Sequence, residues 1–443
     1  MPLWDGVTNA TYDVGTGTQK VSDGGGSLTI DTTAGVPLET TLQPDAASPL
    51  FDAFGRLRVS EPYSLLASKQ TLDNLPLVFD DAEVSGASTT STHSTARASS
   101  MLLVAATTAG KRVRQSRRRM NYQPGKSQFI KITGVLDYSG GGTGITRGMG
   151  YYDDDNGICL KDDEGAIKLV RRTSITGSPV DNEVLQASWN IDPFDGTGPS
   201  GVTLDFTKSQ IFVIDMEWLG VGSVRTGFVI DGRVWPAHQF RHANTLAGVY
   251  MSTPNLPVRW EIENDGTGAA SEIETICAEV ESEGGVQPLG LPRFKDVGST
   301  HIDANTAGTI YALIGIRLKA AALQASVIPM AVSLMETAST SVDGVWCMFF
   351  NPTVAGTFTY SDEPNSAVQT AIGATANTIT GGTPLQGDLM PGGKNTVISV
   401  ATARNLVSLG AAIDGTPDEI VLGYTPYANN ADIYAALNWF EQA

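Results

Sequence analysis

Short apolar segments alternate with tight turns about every ten residues along most of this chain. Residues 148–175 hold three such segments, and the pairs Asn156-Gly157 and Glu164-Gly165 stand between them. These pairs supply the positive φ angles that tight hairpins require. Residues 210–240 repeat the pattern around the turns "GVGS" (220–223) and "IDGR" (230–233). Strands at this spacing predict an antiparallel β-sandwich or barrel.

The composition favours the same all-β class. The chain of 443 residues contains 48 Gly, and only 17% of its residues are charged. Glycine is costly inside helices and cheap in turns, so this composition suits short strands. Two segments, "AVSLMET" (331–337) and "ADIYAALNWF" (431–440), could instead form helical turns. No repeat of 20–50 residues is present, which disfavours a solenoid or a propeller.

Three regions follow from the pattern. Residues 1–80 open with a polar, glycine-rich leader and are predicted to form an extended N-terminal docking arm. Residues 81–285 contain the regular strands and are predicted to form a central, jelly-roll-like β-sandwich. The Gly/Pro-rich stretch "ESEGGVQPLGLPRF" (281–294) is typical of a linker. Residues 286–443 are predicted to form a second β-rich domain.

The charge and the hydropathy limit the partners. A net charge of −18 disfavours nucleic acid as a partner. No apolar run approaches the roughly 18 residues that span a bilayer, so we expect no membrane insertion. Residues 1–15 lack a charged and then apolar start, so we expect no secretory signal there. The three Cys lie far apart, which predicts reduced, buried thiols.

Residue patterns that resemble known sites each lack an essential part. His238 and His242 have the spacing of zinc peptidases, but Gln239 stands where the glutamate belongs. An EF-hand loop that begins at Asp153 needs Gly at its sixth position and has Ile158. A hairpin explains this acidic stretch better, although a looser calcium site between loops stays open. We therefore expect no cofactor, no metal ion and no catalytic residue.

Two further patterns are assigned to structure. Asp215 and Glu217 are predicted to share one strand face. Alternating exposed acids on a strand give this pattern as readily as the carboxylate pair of a glycosidase does. The glycine-rich residues 139–146 lack the Gly-Lys-Ser/Thr ending of a phosphate-binding loop and are predicted to form a flexible loop. The tryptophans of the central region are predicted to be core or interface anchors; they are Trp189, Trp218, Trp235 and Trp260.

The segment "KRVRQSRRR" (111–119) places six basic residues within nine, on an acidic chain. It could meet an acidic face of another copy, remain a solvated loop or bind an anionic ligand. The first alternative is favoured, because opposed patches on copies of one chain set their register. The predicted inter-subunit residues are Lys111, Arg112, Arg114, Arg117, Arg118 and Arg119.

The segment "SPLFDAFGRLRVSEP" (48–62) is too apolar to remain free in water and too short to form a domain. Extended chains of this kind add to a sheet edge or lie in a groove. The segment is predicted to dock, on a neighbouring copy in preference to its own sandwich. The predicted docking residues are Phe51, Phe54, Arg56, Leu57 and Arg58.

Three stretches together resemble a group of structural proteins of tailed-bacteriophage virions. They are residues 48–70, residues 117–138 ("RRRMNYQPGKSQFIKITGVLDY") and residues 212–244 ("FVIDMEWLGVGSVRTGFVIDGRVWPAHQFRHAN"). The resemblance covers the first half of the chain and carries no enzymatic residues over. It is compatible, by analogy, with a concanavalin-type sandwich in the middle.

This resemblance implies a non-enzymatic virion component that is made in the bacterial cytoplasm. A tail-associated place (fibre, spike or adaptor) is favoured over a head decoration or capsid fibre. The expected partners are other virion proteins and copies of the chain itself. A lectin-like receptor-binding module for a host-surface glycan is the alternative of a second class, and a depolymerase is a third.

Overall fold

The computed structural model describes residues 61–137, 142–287, 289–393 and 408–442 with their side chains. Four further strands are described by their backbone: β1 (Ala10–Asp13), β2 (Thr18–Ser22) and β3 (Ser27–Asp31), which form a three-stranded antiparallel sheet, and β29 (Asn395–Ser399). The only helices among the described residues are two single 3₁₀ turns, Gln186–Ser188 and Ala320–Ala322. Neither turn has the length or the apolar character that crossing a bilayer requires. The all-β prediction is confirmed.

Fifteen strands build the central region. They are β4 (Tyr63–Lys69), β5 (Phe79–Gly86), β6 (Thr89–Ser94), β7 (Ser99–Val104), β8 (Gly110–Ser116), β9 (Gln128–Val135), β10 (Ile145–Tyr152), β11 (Gly157–Asp163), β12 (Ala166–Thr173), β13 (Val180–Leu185), β14 (Gln210–Met216), β15 (Val224–Ile230), β16 (Arg233–Phe240), β17 (Val258–Asn264) and β18 (Ser271–Ser282). A seven-stranded sheet has the order β13-β12-β11-β10-β17-β8-β5. An eight-stranded sheet has the order β16-β15-β14-β9-β18-β7-β6, and β4 also pairs with β18.

The two sheets enclose one hydrophobic core, so the predicted β-sandwich is confirmed. Ile130 and Ile132 of the eight-stranded sheet are completely buried, and so are Met149 and Tyr151 of the seven-stranded sheet. Their spacing of two places them on the inner face, while Lys131 between the isoleucines is only partly buried. The alternation seen in the sequence therefore determines which face of each strand is covered.

The predicted three-stranded meander forms as β10, β11 and β12. Tyr152 lies opposite Gly157 at the first turn, and Asp163 lies opposite Ala166 at the second. Glu164 and Gly165 have φ angles of 54° and 89°, the left-handed conformation that a two-residue hairpin turn needs. The hairpin interpretation of the acidic stretch is thus confirmed.

The C-terminal region forms a second sandwich. Its strands are β19 (Leu291–Asp296), β20 (Ile302–Ala304), β21 (Tyr311–Leu318), β22 (Ser326–Glu336), β23 (Gly344–Phe350), β24 (Thr353–Val354), β25 (Ser361–Asp362), β26 (Val368–Ile372), β27 (Ile379–Thr380), β28 (Thr383–Met390), β30 (Glu419–Pro426) and β31 (Ala431–Gln442), together with β29. A five-stranded sheet has the order β19-β31-β22-β29, with β20 also on β31. It packs on a six-stranded sheet of order β25-β26-β21-β30-β23-β28 through a core that includes Trp346 and Trp439. Strands β24 and β27 form a separate pair.

The two segments that allowed helical turns are strands. Residues 331–336 belong to β22, and residues 431–440 belong to β31, which buries every second residue along its length. β31 pairs with β22 on one side and with β19 and β20 on the other, so the sheet supplies its hydrogen bonds. Pairing on both sides outweighs the helical preference of alanine and leucine.

Candidate functional site at the junction of the two sandwiches

The basic segment 111–119 begins on β8 and ends at the C-terminal sandwich. Its first half is paired with acidic residues of its own chain. Lys111 Nζ lies 3.2 Å from Glu261 Oε2, and Arg112 Nε lies 2.6 Å from Asp81 Oδ1. Arg114 is completely buried, with its guanidinium carbon 4.7 Å from the ring centroid of Phe79. Burial lowers the pKa of Arg114 to about 10, and Asp81 partly offsets this effect.

The second half of the segment joins the two sandwiches. Arg117 Nη2 lies 3.2 Å from Asp80 Oδ1 in the central sandwich, and Nη1 lies 3.0 Å from Asp418 Oδ1 beside β30. The backbone N–H of Ile413 donates to Asp80 Oδ2 at 2.8 Å, which closes the arrangement from the C-terminal side. Asn351 donates to the same Asp418 oxygen at 2.8 Å. These contacts form a polar junction centred on Arg117.

Backbone contacts beside Arg117 require a very close approach of the two regions. The N–H of Ala411 donates to the carbonyl oxygen of Arg117 at 2.9 Å. A Cβ atom at Gly410 would lie 2.5 Å from that oxygen, so only glycine fits there. A second contact joins the regions elsewhere, where Asn121 donates to Gln442 Oε1 at 2.9 Å.

Asp418 is the most buried charge at this junction. Its side chain is 3% exposed. Burial raises the pKa of Asp418 above its usual value, although Asn351 and Arg117 both favour the ionised form. Arg117 therefore compensates a carboxylate that is costly to bury.

A cavity of about 260 Å³ lies next to the junction. Its apolar wall includes Leu65 of β4, Leu77, Val78, Phe350 and Leu385. Asp418, which Arg117 already holds, is the only carboxylate among its described lining residues. The described cavity thus lacks the two carboxylates that glycoside hydrolysis needs.

A second charged cluster lies on the face of the seven-stranded sheet that points away from the core. Arg259 and Glu261 lie on that face, since Trp260 between them points into the core. Arg259 Nη2 lies 2.8 Å from Glu261 Oε2. Burial alone would raise the pKa of Glu261, but Arg259, Lys111 and Arg172 outweigh it and lower the pKa to about 2. The carboxylate is therefore firmly ionised, which does not suit a general acid.

The two histidines with the zinc-peptidase spacing, His238 and His242, have different hydrogen-bond partners. His238 Nδ1 accepts the backbone N–H of Asn190 at 3.2 Å. His242 hydrogen-bonds the carbonyl of Gly222 and stacks on Tyr250, with ring centroids 4.0 Å apart. Burial lowers the pKa of both histidines to about 4, so both are neutral near pH 7.

The acidic candidates are also held by their own chain. Asp153 Oδ1 accepts the backbone N–H groups of Asp155 and Asn156, at 3.0 and 2.9 Å. Asp153 Oδ2 lies 3.5 Å from Arg119. Asp215 is buried, accepts the hydroxyl of Ser127 at 2.8 Å and forms an ion pair with Arg225.

The tryptophans of the central sandwich are largely covered. Trp189 and Trp260 are 5% and 1% exposed, which confirms their prediction as core anchors. Trp218 donates its indole N–H to the carbonyl of Met251 at 3.1 Å. Trp235 is partly buried, and the guanidinium carbon of Arg233 lies over its ring, 4.0 Å from the centroid.

The structure does not place the predicted docking residues. Phe51, Phe54, Arg56, Leu57 and Arg58 lie outside the described residues, as do residues 139–141 of the glycine-rich loop. The structure corrects the extent of the predicted arm, because β4 (Tyr63–Lys69) pairs with β18 and Phe79 lies in the central core, so residues 63–80 belong to the central sandwich. The prediction of an inter-subunit basic patch stays a prediction as well, because one chain alone is described. The contacts above add that Lys111, Arg112, Arg117 and Arg119 have acidic partners within the chain.

Sequence reasoning missed the acidic partners at the junction. Asp80 and Asp418 lie 37 and 301 residues from Arg117 in the chain, so no local spacing links them. The density of arginines in residues 111–119 was the one available signal. It indicated that negative charge must be nearby, without indicating which residues supply it.

No protein-family model and no curated protein matches this chain. Several solved structures are similar over about half of it. A legume lectin-like domain from Entamoeba histolytica is 6% identical, with a TM-score of 0.31 over 50% of this chain and 98% of its own. A carbohydrate esterase from the Shiga toxin-encoding bacteriophage phi24B is 9% identical, with a TM-score of 0.31 over 50% of this chain and 99% of its own.

An endo-1,3-beta-glucanase from Streptomyces sioyaensis is 11% identical, with a TM-score of 0.28 over 46% of this chain and 89% of its own. A lectin-like domain, an esterase and a glucanase thus all resemble about half of this chain. At these identities and scores the likenesses carry no argument about function.

Proposed function

We propose that this protein is a non-enzymatic structural component of a tailed-bacteriophage virion, placed at the tail, which assembles through contacts between copies. The supporting observation is a run of exposed large apolar side chains along one edge of the C-terminal sandwich. Leu289, Leu291 and Phe294 are 70%, 62% and 65% exposed within six residues. Leu291 and Phe294 project from opposite faces of β19, because side chains alternate along a strand, so this edge exposes apolar side chains on both faces. Several exposed apolar side chains along one edge mark a surface that another chain covers.

The chemistry of this edge favours side-chain contact over strand addition. Among the described strands, β19 is the outermost of its sheet and pairs with β31 alone. Pro292 lies within β19 and has no N–H to offer a further strand. Proline at a sheet edge blocks open-ended pairing, so a partner would meet the leucines and the phenylalanine instead. A second copy of the chain is the proposed partner.

The absence of catalysis is part of the same proposal. It is supported by the way the described acidic candidates are used, since Asp215 and Glu261 are both buried in ion pairs with arginine. It also rests on the resemblance of residues 48–70, 117–138 and 212–244 to virion structural proteins. Turnover of a host polysaccharide or a peptide by the purified protein would contradict it.

The experiment compares the double variant Leu291→Asp/Phe294→Asp with the wild type by analytical ultracentrifugation. We expect the wild type to form an oligomer and the variant to remain a monomer with an unchanged circular dichroism spectrum. Leu72→Asp is the matched control, because Leu72 is 85% exposed in the central region and should leave assembly unchanged. Antibody labelling of intact virions should place the protein on the tail.

Two results would overturn this proposal. One is a wild-type protein that stays monomeric at roughly 100 µM, well above the micromolar range in which specific interfaces of standard size form. The other is the absence of label on virions of the phage that encodes it.

A carbohydrate-binding module is a second candidate, and one observation favours it. Tyr427 is 56% exposed in the turn between β30 and β31, next to Asn429 and Asn430. An exposed aromatic ring beside amide side chains can stack on a sugar and hydrogen-bond its hydroxyls. Binding on a glycan array that Tyr427→Ala abolishes would support this function.

A further inference from the structure

A histidine and two aspartates meet on the outer face of the five-stranded C-terminal sheet. Asp303 of β20 and Asp432 of β31 are direct partners across the antiparallel ladder. Their neighbours Ile302 and Ile433 are buried, so both carboxylates point away from the core. His301 Nε2 lies 2.9 Å from Asp303 Oδ1 and 3.6 Å from Asp432 Oδ1.

This arrangement is unfavourable without a positive charge. Like charges that lie directly opposite each other on neighbouring strands destabilise a sheet. A cation between the two carboxylates removes this repulsion, and the imidazole of His301 supplies a metal-binding nitrogen at the same point. The three ligand atoms all lie within 4.8 Å of one another.

The distances fit a shared metal ion. Zinc lies about 2.0–2.2 Å from imidazole nitrogen and carboxylate oxygen, so two ligands at a tetrahedral angle are about 3.3 Å apart. At the right angle of an octahedral site they are about 2.9 Å apart. The two histidine–carboxylate separations of 2.9 and 3.6 Å are close to these values. The separation between the two carboxylates is within 4.8 Å, so side-chain shifts bring all three donors to one ion.

Neighbouring side chains hold two of the donors in place. The ring of His301 packs edge-on against Tyr434, with centroids 5.8 Å apart, and the Tyr434 hydroxyl donates to the carbonyl of Ser299 at 3.2 Å. Thr375 Oγ1 donates to Asp303 Oδ2, the oxygen that does not face His301, at 3.4 Å. Hydrogen bonds to ligating carboxylates orient them in metal sites.

We propose that His301, Asp303 and Asp432 bind one divalent transition-metal ion, with zinc as the probe. The three side chains are 31–47% exposed, so water or a ligand hydroxyl completes the coordination. One imidazole and two carboxylates suit zinc, cobalt or manganese, whereas calcium takes six to eight oxygen ligands. The proposal is independent of the virion function and adds a site to the C-terminal sandwich.

The test measures zinc binding to tag-free protein at pH 7 by calorimetry, and cobalt binding by visible absorption. We expect one ion per chain and at least a tenfold loss of affinity in His301→Ala and in Asp303→Asn. Asp388→Asn is the matched control, because Asp388 is an exposed carboxylate of the same region and should change nothing. Calcium at the same concentration should not compete.

A second measurement separates the metal site from a simple histidine–aspartate ion pair. Asp303→Asn removes one of the opposed charges, so it should raise the melting temperature of metal-free protein. Zinc should raise the melting temperature of the wild type and leave that of Asp303→Asn unchanged. The proposal is overturned if zinc does not bind saturably below roughly 1 mM, or if His301→Ala binds it as tightly as the wild type. A lower melting temperature of metal-free Asp303→Asn would also overturn it, since the opposed charges would then not be unfavourable.

Discussion

Replacement of Arg117 by methionine should loosen the junction between the two sandwiches. Arg117 contacts Asp80 in one and Asp418 in the other, and Asp418 is almost completely buried. Methionine keeps much of the apolar stem of the arginine and removes its charge. The substitution therefore leaves a buried carboxylate without its cation, which is the costly way to break an ion pair.

The magnitude follows from the burial of the two partners. Removing one member of a fully buried pair costs about 3–5 kcal/mol, and an exposed pair contributes about 0–1 kcal/mol. The Arg117 side chain is 17% exposed, so solvent compensates part of the loss. We expect a free energy of unfolding lower by about 2–3 kcal/mol at pH 7. The loss should shrink in mild acid, because burial already raises the pKa of Asp418 and the neutral acid needs no cation.

The assays are denaturant unfolding followed by tryptophan fluorescence, and thermal unfolding followed by calorimetry. Each sandwich has its own buried tryptophans, Trp189 and Trp260 in the central core and Trp346 and Trp439 in the C-terminal core. We expect the transitions of the two sandwiches to separate in Arg117→Met. The matched control is Arg112→Met, since Arg112 pairs with Asp81 inside the central sandwich. It should lower the stability of that sandwich alone.

A double-mutant cycle measures the interaction energy between Arg117 and Asp418. Arg117→Met/Asp418→Asn removes both charges, so it should recover at least half of the loss caused by Arg117→Met alone. The reasoning is refuted if Arg117→Met unfolds as the wild type does, or if the double variant is less stable than the sum of its single changes. A change of oligomeric state with unaltered stability would instead support the inter-subunit role predicted from the sequence.

Further predictions concern acid stability, the close contact at Gly410 and the C-terminal core. The lowered pKa of Glu261 means that its contribution is complete above its ordinary pKa of 4.5 and is lost as pH falls towards 2. The loss amounts to about 3 kcal/mol of the free energy of unfolding. Urea melts at pH 2–6 should show a flatter dependence of stability on pH in Glu261→Gln. An unchanged dependence would contradict the lowered pKa of Glu261. Gly410→Ala should separate the two unfolding transitions as Arg117→Met does, because its Cβ meets the carbonyl of Arg117. Gly248→Ala is the control and should change neither transition, because its Cβ has no neighbour within 4 Å. Trp439→Ala should destabilise the C-terminal sandwich by about 3–5 kcal/mol in calorimetry. In the Arg117→Met background, where the two transitions are separate, it should leave the central transition unmoved.

Much of the fold was predictable, because its signals are local. The turns at Glu164-Gly165 and Asp231-Gly232 could be identified from two residues each, since backbone sterics reserve positive φ for few residue types. At Asn156-Gly157 only Gly157 has a positive φ and it already belongs to β11, so four residues, 153–156, form that turn. The alternation around Ile130 and Ile132 likewise follows from the two-residue period of a strand. Local patterns of this kind need no knowledge of distant residues.

The segment 431–440 shows where local reasoning fails. Its alanines and leucine allow a helix, and its alternation allows a strand. The choice was made by β19, β20 and β22, which supply hydrogen bonds to both edges of β31. β22 lies more than ninety residues before β31 in the chain, and β19 and β20 lie farther away. A short window of sequence around residues 431–440 therefore cannot show that these strands pair with it.

The sequence by itself determined the strand-and-turn architecture and the need to neutralise an arginine-rich segment on an acidic chain. Only the tertiary structure decided which acids do so and that Arg117 joins the two sandwiches. It alone also placed Asp303 opposite Asp432. The physical reason is one of range: backbone conformation depends on neighbouring residues, whereas the pairing of charges depends on which distant strands the sheets bring together.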